Sequence, residues 1–444
     1  MAKDTPDVLK GHTDTMRPPD NTIGIPVREQ SSRGIPLRRT ITCLVGLGLL
    51  ILVNAWLDSH HLNWGPPRNS LRLWPAAHSV LDHCVWGPGL VSASTAADFE
   101  IPLTAETTLL LMRSIPSSFM LSRTALSGKL DITTSPHLKN MARVIVNASS
   151  FGTHAGADIK VCLTSGIQAP SQRGVNIFIN RLFSADGMFM NIRLILPEGA
   201  SPLHLKSLIV RLPEFAISMT GNLGESVAFD SMDVRTSNAP VHIKSLSVGK
   251  AELHTSNAAI SADSITGNNL MLYTTNGAIL GSFNTSGRLA LITSNAPVNA
   301  TVGLSNVDGS SATRLLLQTY NGHLNATITL ATAGNYIVYG TTSNGPLALA
   351  VPTAPRDAVL TITATTSNAR AAVGVPKVYE GTFMLSGAHR GTVVHCDRDD
   401  ARHIEYASPK YTNVTSGWVY TEEAGRRMGS VSVTALNSSA VLIV

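Results

Sequence analysis

The stretch Thr255–Asn295, TSNAAISADSITGNNLMLYTTNGAILGSFNTSGRLALITSN, decides the fold. Within it a tripeptide of Thr, then Ser or Thr, then Asn recurs. The residues six and four before each Asn are apolar, as in Leu270 and Leu272 before Asn276. Working outward, the signature gives seven Asn positions: Asn238, Asn257, Asn276, Asn295, Asn321, Asn344 and Asn368, with steps of 19, 19, 19, 26, 23 and 24 residues. Thr stands two residues before each of them, at Thr236, Thr255, Thr274, Thr293, Thr319, Thr342 and Thr366. A period near 20 residues marks a repeat architecture in which neighbouring units bury each other's apolar faces.

After each Asn the apolar positions fall three and five residues on, as in Val241 with Ile243 or Leu347 with Leu349. Side chains alternate between the faces of a strand, so this one-residue slip in parity requires a bend, and Asn followed by Ala or Gly suits one. Each repeat is therefore read as two strands and a corner. Stacking predicts that the seven Asn form a ladder bonded through their side-chain amides, with the Thr hydroxyls forming a second ladder. In the last two copies the apolar pair moves to eight and six before the Asn (Tyr336 with Val338, Leu360 with Ile362), which predicts longer strands or a different corner.

The rest of the 444 residues fits a large β-rich chain. Hydrophobic residues make up 43% and charged residues 14%, enough for a packed core. A formal charge of +5 raises nucleic acid as a partner, but Lys and Arg are scattered singly with no basic stripe interleaved with aromatics, which argues against it. Residues 98–220 hold short alternating runs such as ARVIVNAS and MNIRLILP between Gly, Pro and Ser, read as a β-rich part that is either sandwich-like or continuous with the repeats of 221–444.

Ile41–Leu57, ITCLVGLGLLILVNAWL, is 17 residues without a charge, with Arg28, Arg33, Arg38 and Arg39 upstream and Trp56 at its far edge. It reads as a transmembrane signal anchor. Residues 1–40 then form a disordered cytosolic tail, 58–97 a stalk, and everything after the anchor lies outside the cytosol, in a type II single-pass protein. Asn147, Asn284, Asn299, Asn325, Asn413 and Asn437 each begin an Asn-x-Ser/Thr acceptor, and all lie on the non-cytosolic side of that topology. Cys43 falls in the anchor. Cys84, Cys162 and Cys396 remain outside, allowing one disulfide whose pairing the sequence leaves open.

No catalytic, cofactor or metal constellation stands out. Polysaccharide-cutting enzymes on a parallel β-helix need clustered carboxylates. The acidic residues here, among them Asp230, Asp233, Glu252, Asp263, Asp308 and Asp357, are expected to share no repeat offset. The cluster His389–Glu405, HRGTVVHCDRDDARHIE, is rich in metal-ligating types but lacks the spacing of a zinc finger or a calcium loop. The Thr-Ser-Asn repeats, the GVNIF run at Gly174–Phe178 and the YEGTF run at Tyr379–Phe383 resemble an uncharacterised fungal adhesin-like domain, itself similar to bacterial adhesin β-solenoid repeats. The resemblance covers about residues 98–444, including a final strand pair near Val431–Val444. It implies a β-solenoid ectodomain of a fungal single-pass membrane protein, with no catalytic residues to carry over. The expectation is an all-β, non-enzymatic, adhesin-like or structural protein without a cofactor. Its partners would be the membrane and glycans, cell-wall polymer or surface proteins, and the alternative is an extracellular polysaccharide-acting enzyme.

Overall fold

A computed structural model describes residues 79–86, 97–114, 126–150, 159–166, 171–179, 188–307, 311–388, 391–396, 402–407 and 413–444. The cytosolic tail, the Ile41–Leu57 anchor and most of the stalk expected from the sequence lie outside these residues. Among the described residues no helix is long and apolar enough to cross a membrane.

The protein is all-β. Its first part comprises β1 (Ser79–Trp86), β2 (Ala97–Pro102), β3 (Thr108–Ser114), β4 (Leu126–Ser135), β5 (Met141–Ser150), β6 (Ile159–Gly166), β7 (Gln172–Ile179), β8 (Met188–Pro197), β9 (Leu203–Arg211), β10 (Phe215–Met219) and β11 (Val227–Arg235). The repeats comprise β12 (Val241–His254), β13 (Ile260–Tyr273), β14 (Ile279–Ile292), β15 (Val298–Leu304), β16 (Thr313–Gln318), β17 (Leu324–Leu330), β18 (Gly334–Thr341), β19 (Leu347–Thr353), β20 (Ala358–Thr366) and β21 (Ala371–Gly374). Then follow β22 (Gly381–Gly387), β23 (Thr392–His395), β24 (His403–Tyr406), β25 (Val414–Tyr420), β26 (Ser430–Ala435) and β27 (Ala440–Ile443).

Two parallel ladders organise the repeats. In one, β3, β9, β11, the second half of β12, and the matching parts of β13 and β14 pair in sequence, followed by β16, β18 and β20. In the other, β4, β10, the first halves of β12, β13 and β14, then β15, β17, β19 and β21 do the same. The hydrogen bonding therefore runs from the residues before 220 into the repeats without a break. At the N-terminal end the ladders finish in antiparallel strands, β7–β6–β1 and β8–β5–β2. Ser79–Trp86, read from sequence as stalk, is thus a strand, and Cys84 is register partner of Cys162 and disulfide-bonded to it.

The expected two strands per repeat are, in the three 19-residue repeats, single 14-residue strands. Along β12 the buried residues are Val241 and Ile243, then Leu246 and Val248, then Ala251 and Leu253. Inward parity changes twice, so the strand bends twice while its hydrogen bonds to β13 continue. In the longer repeats the extra residues part the strand in two, between β15 and β16, β17 and β18, and β19 and β20. The corner with the Asn is the same in all of them. Tyr336 and Val338 keep the common register, Val338 pairing with Leu315, and the inward place four before Asn344 is taken by Gly340, packed against Leu347 and Leu349. Longer strands explain the shifted apolar pair; a different corner does not. At Gly281, where other repeats carry an inward apolar residue, φ is +138° and a β-carbon would lie 1.9 Å from the Ala262 carbonyl oxygen, so only glycine fits that crossing.

The C-terminal order is not sequential. β26 pairs in parallel with both β20 and β22, and β27 with both β21 and β23. The last strands of the chain are therefore inserted between the repeat that precedes them and the pair β22–β23. β25 lies antiparallel on β22, and β24 on β25, so this end also finishes in antiparallel strands.

Candidate functional site

The corner row is built from short bonds between successive repeats. Asn257 Nδ2 donates to Asn238 Oδ1, Asn276 to Asn257 and Asn295 to Asn276 at 2.5–2.6 Å, and the series continues through Asn321, Asn344 and Asn368 at 2.6–2.7 Å. An eighth member, Asn437, donates to Asn368 at 2.8 Å. Its tripeptide is Ala435-Leu436-Asn437, without the Thr, and it arrives 69 residues later, so no periodicity search would find it. At the other end Asn238 donates to Glu214, whose φ of +67° places it in the left-handed region. A carboxylate only accepts, so Glu214 fixes the direction of every amide above it, and the aligned amide dipoles polarise one another.

The Thr hydroxyls do not meet. All seven are buried, and each donates to a backbone carbonyl of the neighbouring rung: Thr274 to Ala258 O at 3.2 Å, Thr293 to Gly277 O at 3.0 Å, Thr319 to Ala296 O at 3.0 Å. Thr236 donates to Phe215 O, Thr255 to Ser237 O and Ala239 O, Thr342 to Gly322 O and Thr366 to Gly345 O. The expected hydroxyl ladder is corrected to a set of side-chain-to-backbone bonds. Most of these carbonyls lie at the bend, outside the strand pairing, while Ser237 O also accepts from the Ser256 and Asn257 amides.

Two outward fields differ in chemistry. On β11–β13, Asp233 and Glu252 are register partners, both five residues before their Asn, which corrects the expectation that acidic residues share no offset. They are not a free pair. Arg235 Nε lies 2.7 Å from Asp233 and its Nη2 3.6 Å from Glu252, Arg211 is 3.0 Å from Asp233, and Lys250 is 2.9 Å from Glu252. Beside them His254 stacks on Tyr273 with ring centroids 5.0 Å apart. Burial, and then the charge of Arg235, push the His254 pKa down.

On β20, β26 and β22 the outward positions carry hydroxyls in register: Thr361, Thr363 and Thr365 on β20, Ser430, Ser432 and Thr434 on β26, and Thr382 and Ser386 on β22. Exposed Met384 sits between the last two. Tyr339 is register partner of Thr363 on one side, and Trp418 on β25 is register partner of Thr382 on the other. Burial raises the Tyr339 pKa, so its hydroxyl keeps its proton at neutral pH.

Of the acceptor asparagines, Asn147, Asn284, Asn325, Asn413 and Asn437 are exposed and Asn299 is half-buried. Asn299 and Asn325 are register partners, and Asn437 is engaged in the ladder. Cys396 is exposed and outside the disulfide. Of the His389–Glu405 cluster, His395, Cys396, His403 and Glu405 are described, with Glu405 accepting from Tyr420 at 3.1 Å; among the described residues no group of three or more His, Cys, Asp or Glu is placed to hold a metal.

Compared with known proteins, the chain matches no family profile and no curated relative. The resemblance to a fungal adhesin-like domain therefore gains no support from family comparison. A solved structure that it does match is a candidate cell adhesion protein from Clostridium sporogenes, at 9% identity and a TM-score of 0.12, over 79% of this chain and 99% of the other. A likeness that low carries no argument here.

Proposed function

We propose that this chain is a β-solenoid interaction protein, adhesin-like, whose outward sheet faces engage a neutral polymer such as a glycan or cell-wall polysaccharide. The observation that carries the reading is the uncharged hydroxyl field on β20, β26 and β22, bordered by Tyr339 and Trp418. Hydroxyls fixed on neighbouring rungs, about 4.8 Å apart, offer an extended chain one weak polar contact per rung, and aromatic rings at the border can stack on sugar rings. Many such contacts become useful collectively. The rival reading, a polysaccharide-acting enzyme, is weaker because the register-paired Asp233 and Glu252 are held by three cations instead of facing open space. We further propose that Ile41–Leu57 anchors the chain and that the β-region lies outside the cytosol, a topology supported by the Arg residues before that run and by the exposure of most acceptor asparagines.

Two experiments test these readings. Co-sedimentation with insoluble neutral polysaccharides should retain the protein, and Trp418→Ala or Tyr339→Ala should weaken retention while leaving the melting temperature close to wild type. Retention on none, or retention unchanged by both substitutions, overturns the assigned face. Enzymatic removal of N-glycans from protein made in a secretory host should increase gel mobility, and unchanged mobility of a folded chain speaks against the topology.

A further inference from the structure

The segment Ser430–Val444 follows β22 to β25 in sequence, yet its strands lie inside the sheet, ahead of them. β26 is bonded on one side to β20, from Thr361↔Ser430 to Thr366↔Ala435, and on the other to β22, from Thr382↔Ser430 to Gly387↔Ala435. β27 is held in the same way between β21 and β23. β20, β21 and β22 each have a further strand partner, whereas β23 is bonded only to β27 among the described pairings. β20 and β21 continue the preceding ladder, and β22 is backed by β25 and β24. The connection into β22 is fixed by Arg402, which donates to Pro376 O at 3.1 Å and Tyr379 O at 3.2 Å, and by Tyr379, whose hydroxyl donates to Thr382 O at 2.7 Å. Removing the segment would leave two strand edges facing one another across one rung, each with a row of unpaired backbone groups.

From this geometry we propose that the rung between β20–β21 and β22–β23 is a strand-accepting slot, and that the Ser430–Val444 segment can fill it in trans, linking one copy of this chain to another. The slot demands an extended parallel strand with small or branched residues at alternate positions, met here by Val431, Val433 and Ala435, all buried, followed by Ala440 and Leu442. The segment follows β25 as one continuous stretch holding β26 and β27. It is joined to β25 only through residues 421–429, which include a 3-10 turn at Glu423–Arg427 and the exposed Met428. Ser432 and Thr434 face outward and join the hydroxyl field, so an exchanged segment rebuilds the same face. Main-chain bonds supply the affinity in such strand addition, and alternate side chains supply the specificity. Exchange of an identical element between copies needs no new contact beyond those already present. The inference does not depend on the ligand proposed above.

The test uses two full-length chains with different tags in a Cys43→Ser, Cys396→Ser background, one carrying Thr363→Cys and the other Ser432→Cys. These positions are register partners on β20 and β26, so a disulfide between the two chains forms only when one copy's β26 sits on the other's β20. Equal amounts are mixed, warmed to just below the melting transition, cooled and oxidised. The expected result is a doubly tagged cross-linked dimer at least about tenfold more abundant than with Thr363→Cys and Ser261→Cys, an off-register pair. A chain carrying both Thr363→Cys and Ser432→Cys, oxidised beforehand, should stay monomeric and regain exchange on reduction. If that chain closes its internal disulfide while the mixed pair gives no excess of dimer, the proposal is overturned. Hydrogen exchange of the unaltered protein gives a second reading. Amides of 430–444 should open together and faster than those of β13, and equal protection of the two also overturns it.

Discussion

The three 19-residue repeats and the C-terminal closure obey the same hydrogen-bond geometry, but they differ in how the chain reaches it. From β12 to β14 each rung is laid by the residues that follow directly, so sequence order and spatial order coincide. At the closure the chain skips one rung, builds β22 to β25, and returns to fill the gap with β26 and β27. A rung laid in order needs only the one before it. A rung filled last bonds to both neighbours and covers one edge of each.

The largest expected effect separates the two regions directly. Deleting residues 257–275 removes one complete repeat, joins Ser256 to Asn276 and restores the Thr-Ser-Asn corner, so a cooperative thermal melt should persist with a modest fall in midpoint. Ending the chain at Gly429 removes fewer residues yet should strip amide protection from Gly381–Tyr420 and promote aggregation, because two strand edges are exposed. Equal damage from the two deletions would break the comparison. Next come core truncations. Leu272→Ala, in a fully buried site of the regular repeats, should cost about 3 kcal/mol by denaturant unfolding, and Val433→Ala, equally buried in the closure, roughly 2 kcal/mol.

Smaller effects sharpen the corner. Thr274→Val keeps the shape but deprives the Ala258 carbonyl of a donor and the Gly277 amide of an acceptor, and should cost about 1–2 kcal/mol. Asn276→Ala, at an exposed position, should cost about 1 kcal/mol, and Glu214→Gln less, since an amide oxygen can still accept from Asn238. The smallest effect is acid-dependent. Folding pushes the His254 pKa down, so the folded state binds fewer protons than the unfolded one as pH falls below the ordinary value near 6.5. The stabilisation is complete above that pH and is lost as pH drops through the depressed pKa. His254→Gln should therefore flatten the melting temperature between pH 7 and 5 relative to wild type.

The sequence alone determined the repeat, its corner residues, and the inward side chains that flank each corner. Each rests on a short-range rule: parity along a strand, a bend where parity slips, and a period that stacking must honour. It also offered Tyr336 and Leu360 as irregular and left longer strands or a different corner open; the strands extend, with Gly340 or Ala364 filling the next inward place. Only the tertiary structure decided the rest. The eighth ladder member Asn437, its carboxylate base at Glu214, the Cys84–Cys162 pair and the Asp233–Glu252 neighbours held by Arg235 depend on which distant strands lie side by side. Spacing along the chain records such neighbours where the chain stacks in order. Where it leaves the stack and returns, the hydrogen-bonding demand of two open edges decides the place of the last strands, and no local pattern carries that information.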